Sequence, residues 1–166
     1  MRMPIDVAEG LQYDLVCYFG VDDYTPMGFG RVGPGCTHDD WQWAVDWIYR
    51  LIKTDLLNLW PEGMLDGKGE LTFDGPLDFA QELAKQNPSS FEESTEKPVP
   101  WIGPHLCLTD KAKKLFEKHG MSDPRQDYGL NAAFIEEIEE MFEVAGFPWS
   151  ERPLVPIQSQ ARPAQS

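Results

Sequence analysis

The strongest hydrophobic periodicity in the chain lies between Trp41 and Leu56. At 100° per residue Trp41, Ala44, Val45, Ile48, Leu51, Ile52 and Leu56 fall on one arc, which predicts a helix with a core-facing stripe. Asp39 or Asp40 supplies the N-cap, and the appearance of Asp55 on the apolar arc sets the end near Lys53 or Thr54. Trp43, Trp47 and Arg50 fall on the far side, so this helix shows apolar surface in two directions and is either sandwiched or meets something else. A second helix is expected from Pro76, at the favoured first position, through Leu77, Ala80, Leu83 and Ala84 to Gln86. A third starts at Thr109 or Asp110 and ends at His119, before Gly120. The fourth runs from Leu130 or Asn131 to Ala145, with Phe134, Ile135, Ile138, Met141, Phe142 and Ala145 sharing one arc and glutamates filling the rest.

Other segments carry weaker patterns. Residues 11–19 are rich in aromatic and aliphatic types and stop at Gly20; a strand is expected, with a buried helical turn as the alternative. A brief strand fits Glu70–Phe73, while 21–37 and 89–104 read as loops from their glycines and prolines, the second pinned by Trp101 and Ile102. The expected fold is mainly α, with about four helices and short strands. Residues 1–150 form a single compact acidic domain, and the Pro, Gln and Ser content of 151–166 predicts a mobile tail.

Charge changes the picture most. The 166 residues hold 14 Lys and Arg against 28 Asp and Glu, a net charge of −14. A free nucleic-acid binder is disfavoured, because affinity for phosphate comes from cationic side chains. The segments 1–60, 61–108, 109–125 and 126–166 carry −5, −6, +2 and −5, so the excess is spread along the chain, with one basic island at Lys111, Lys113, Lys114 and Lys118. Glu136/Glu140 and Glu139/Glu143 are like-charge pairs one turn apart, and no Lys or Arg lies between Gln126 and Glu151 to relieve them. Glu136, Glu137, Glu139, Glu140 and Glu143 are therefore a candidate docking face for a basic partner, set against a merely solvated face or pairing with the lysine island. Asp22, Asp23, Tyr24, Phe29, Trp43 and Trp47 are candidates to supply further field and aromatic anchors, with core packing as the competing role for the aromatics.

Motifs for catalysis are sparse. Three cysteines without a CxxC pair argue against a disulfide framework and fit a reducing cytoplasm. An acid follows soon after the start where a signal peptide needs an apolar run, and no stretch approaches the roughly 18 apolar residues of a membrane span. The best metal set is Cys36 and His38 with His105 and Cys107, but zinc spacings are absent, so no metal or other cofactor is expected. Hydrolysis through Cys36, His38 or Asp39 is a minor alternative, since Asp39 and Asp40 oppose ionisation of the thiol.

A small, strongly acidic, Trp-rich chain without a catalytic motif resembles the immunity proteins of bacterial polymorphic toxins, of the contact-dependent inhibition and type VI secretion kinds. The block Trp41-Gln42-Trp43-Ala44-Val45-Asp46-Trp47-Ile48-Tyr49-Arg50-Leu51-Ile52 is similar to helical immunity families. Those families differ widely in fold, and no site residue carries over by position. The resemblance implies a non-enzymatic role: binding one cognate basic toxin domain, often a nuclease, and masking it, without direct contact to nucleic acid or membrane. The rival is a small regulatory or adaptor module, because Leu71–Phe73, Leu106–Thr109 and the lysine helix suggest a winged-helix layout.

Overall fold

The computed structural model describes residues 2–29, 32, 33, 35–70, 72–89 and 99–158. Among these the chain forms five α-helices, at Ile5–Gln12 (α1), His38–Lys53 (α2), Gly75–Lys85 (α3), Asp110–Lys118 (α4) and Ala132–Val144 (α5), and a two-stranded antiparallel sheet of Leu57–Trp60 (β1) and His105–Leu108 (β2). The mainly α, compact architecture matches the expectation, with one helix more than the four anticipated.

The additional helix is α1, which runs on through Tyr13–Tyr18 as a π-helical stretch in which the Phe19 amide donates to the Asp14 carbonyl, 2.9 Å away and five residues back. The expected strand over 11–19 is thereby corrected. Ala8, Leu11, Leu15, Val16 and Phe19 are all buried, a helical spacing that the aromatic, β-favouring composition masked.

α2 is the central element, and most of its circumference is covered: ten residues between Trp41 and Ile52 are buried. Its cap is Thr37, not Asp39 or Asp40. The Thr37 hydroxyl accepts from the Asp40 amide while the Asp40 carboxylate accepts from the Thr37 amide, a reciprocal capping box. On one side Trp41 Nε1 donates to the Leu83 carbonyl of α3 at 3.0 Å. On the other, the ring of Trp47 lies 5.7 Å from Phe142 of α5. The two-sided apolarity of this helix is thus that of a sandwiched element.

Asp55, with φ of 58°, turns the chain out of α2 into β1, which pairs with β2 in the register Leu57↔Leu108 to Trp60↔His105. Thr109 ties this corner together: its hydroxyl donates to the Asp55 carbonyl at 2.6 Å and accepts from Ala112 at the start of α4. The strand at 57–60 was not anticipated, and Thr72 and Phe73 are not in a strand; Leu71 lies outside the described residues. β2, which the winged-helix layout would set beside 71–73, pairs with β1 among the described residues.

The segment after α5 turns back along α2. The Arg50 guanidinium donates to the carbonyls of Phe147 and Pro148 at 3.1 and 3.0 Å. Asp46 accepts from the amides of Leu154 and Val155, and the Gln42 amide group bonds Val155 and Ile157. Gln158 then donates to the Ala84 carbonyl. Residues 151–158, which the sequence assigns to the start of a tail, are therefore laid as a strap across α2 and α3; 159–166 lie outside the described residues. In the 89–104 loop, 90–98 lie outside them too, while Trp101 is fully buried with its Nε1 on the Gln86 carbonyl and Ile102 is exposed. No helix among the described residues is long and apolar enough to cross a membrane.

Candidate protein-docking surface

The aromatic candidates are brought together. Tyr24 lies edge-on to Phe19, Phe19 meets Phe29, Phe29 meets Trp43, Trp43 meets Trp47 and Trp47 meets Phe142, with successive ring centroids 5.6–6.1 Å apart. Tyr24 also stacks on Tyr18 at 4.0 Å. This row joins the segment after α1 to α2 and α5. Phe29 and Trp47 are buried inside it, whereas Tyr24 and Trp43 keep part of their surface. Trp47 is 2% exposed and belongs to the core, which corrects its candidacy as an exposed aromatic anchor.

The glutamates of α5 divide into structural and outward-facing groups. Glu137 accepts from Lys118 Nζ at 2.8 Å with both oxygens and meets His119 Nε2 at 2.7 Å, so the lysine island does relieve this face. These partners, Lys118 foremost, hold the Glu137 carboxyl below its ordinary value. Glu139 accepts from the backbone amides of Arg2 and Met3, and Glu143 pairs with the Arg2 guanidinium at 3.1 Å. For Glu139 and Glu143 relief comes from residues more than a hundred positions away, beyond any local count of charges. Glu136 and Glu140 are exposed.

Asp22 and Asp23 are exposed in the turn after the π-helical stretch, where they line a cleft of about 470 Å³ together with Lys113, Phe116 and Glu117 of α4. Behind it Cys107 faces Asp23. Burial, then the hydrogen bond and charge of Asp23, push its thiol pKa up to about 12, which makes it inert as a nucleophile at neutral pH.

A second groove, of about 350 Å³, opens between α2 and the strap. Trp43 and Trp47 line it with Trp149, which lies beyond the last periodic segment and so carries no pattern that singles it out. Asp39 and Glu151 are exposed in its lining, and Asp46 and Arg50 are buried there. Burial raises the Asp46 carboxyl against the lowering effect of the Val155 and Leu154 amides and of Arg50. Trp60, not singled out by the sequence, is 59% exposed at the end of β1, with His105 against its ring.

The cysteine and histidine candidates are dispersed. Cys36 Sγ lies 3.2 Å from Ser89 Oγ, His38 packs edge-on to Trp41, and His105 lies against Trp60. Among the described residues no group of three His, Cys, Asp or Glu side chains is placed to hold a metal ion.

Comparison with protein families, curated proteins and solved structures finds no match to this chain.

Proposed function

We propose that the protein is a non-enzymatic immunity or inhibitor protein that binds and neutralises a cognate basic toxin domain, of the nuclease class, through its acidic and aromatic surface. The observation that carries this function is the grouping of exposed carboxylates around clefts with aromatic walls: Asp22 and Asp23 beside the Phe116 cleft, Asp39 and Glu151 at the tryptophan groove. Glu136 and Glu140 extend the same charge over α5. Unlike charges steer the encounter and bring the partner to the surface quickly, while aromatic side chains in partly desolvated pockets supply most of the holding energy.

Affinity capture from the native host with the full chain, followed by mass spectrometry, identifies the partner. The isolated toxin domain is then used for kinetics. The variant Glu140→Lys, which spares the glutamates that anchor Arg2 and Lys118, is expected to slow association and to reduce its salt dependence. Unchanged association at low salt in the folded variant removes α5 from the interface. Failure of the chain to inhibit the captured domain's activity removes the immunity function itself.

A further inference from the structure

The groove between α2 and the strap has a lining suited to one kind of group. Its walls are the indoles of Trp43, Trp47 and Trp149. Three carboxylates, Asp39, Asp46 and Glu151, stand against the single guanidinium of Arg50, which leaves the lining net negative. The inner pair is already committed: Asp46 accepts the amides of Leu154 and Val155, and Arg50 donates to Phe147 and Pro148 while lying 5.7 Å from the centroid of the Trp47 ring. The carboxylates of Asp39 and Glu151 are exposed and lie in different elements on either side of the groove.

An aromatic wall with carboxylates beside it attracts cations through the ring quadrupole and through direct charge, and a planar guanidinium stacks on indoles better than an ammonium does. A volume of about 350 Å³ is at the small end of ligand clefts, enough for a side chain and too small for a helix. We infer that this groove is the seat of a single arginine side chain carried by the basic partner. The inference rests on the proposed function for its source of arginine, and the groove itself is testable without the partner.

The test is a titration of the full chain with Nα-acetyl-arginine N-methylamide, followed through the tryptophan indole N–H signals by NMR, with the neutral citrulline analogue as control. The expected result is saturable shifts of the Trp43 and Trp149 signals with the arginine probe alone, weakened by added salt. Asp39→Asn/Glu151→Gln, two exposed substitutions that leave the buried Asp46 and Arg50 intact, should weaken the probe roughly three- to tenfold. Equal shifts with citrulline, no saturable shift with arginine, or an unchanged affinity in the double variant each overturn the proposal. A chain that inhibits its toxin domain yet ignores the arginine probe refutes the groove and leaves the function standing. One that binds the probe at these tryptophans but inhibits no toxin domain supports the groove and refutes the function.

Discussion

Trp47 illustrates how far a single position is decided by what surrounds it. The helical wheel places it opposite the core stripe, where exposure is the simple inference, but Trp43 and Phe142 close over its ring and leave 2% of its surface. Trp47→Ala should therefore cost about 3–5 kcal/mol in denaturant unfolding, the range for emptying a buried aromatic site. Trp47→Phe, which keeps a ring and removes the unpaired Nε1 donor, should cost much less; equal losses would mean the indole N–H is satisfied. Asp46 makes a different test. Burial raises its carboxyl, so the folded state binds its proton more tightly than the unfolded chain does. Its contribution is fully present below the ordinary aspartate range and is lost as pH rises through the folded value. Asp46→Asn should flatten that part of the stability profile, seen as a smaller change in unfolding free energy across the acid range; an unaltered slope would assign the pH dependence to other groups.

Among the elements, helices with a single apolar arc were legible and those defined by distant partners were not. α3, α4 and α5 fall within a residue or two of their expected limits because Pro76, Gly120 and Gly146 punctuate clean periodicities. The α2 cap was misplaced because Asp39, Asp40 and Thr37 are all competent cap residues, and only the reciprocal bonds between Thr37 and Asp40 decide among them. Thr37→Ala should accordingly cost about 0.5–2 kcal/mol, measured by thermal or urea unfolding, whereas Asp39→Ala should cost little. β1 carries no more than four residues, whose pattern is set by pairing with β2 some fifty positions away. At the surface the sequence located the acids of α5 but not their division of labour, since Arg2 and Lys118 are brought to them by the fold. The Glu137 bond to Lys118 and His119 couples α4 to α5, and its depressed carboxyl contributes stability at neutral pH that is lost as the pH falls through the folded value. Glu137→Gln should remove that acid dependence while changing neutral stability by no more than about 1 kcal/mol, as expected for a pair open to solvent.

For the molecule as a whole, the charge of −14 has two uses that composition alone runs together. Part of it is internal mortar, at Glu137, Glu139 and Glu143. Part faces outward at Asp22, Asp23, Asp39, Glu140 and Glu151, which under the proposed function steers the basic partner at a distance. Rising salt should weaken partner association through the outward group far more than it lowers the unfolding midpoint, a contrast measurable by running both experiments over one salt series. The strap adds an ordering in time. Asp46 and Val155, which it joins, are 109 positions apart, whereas the helices close over a few residues each. Long closures cost the most chain entropy and form late. A refolding chain thus acquires its helices before it has the second wall of the tryptophan groove, and an assembled groove reports that the strap has been laid.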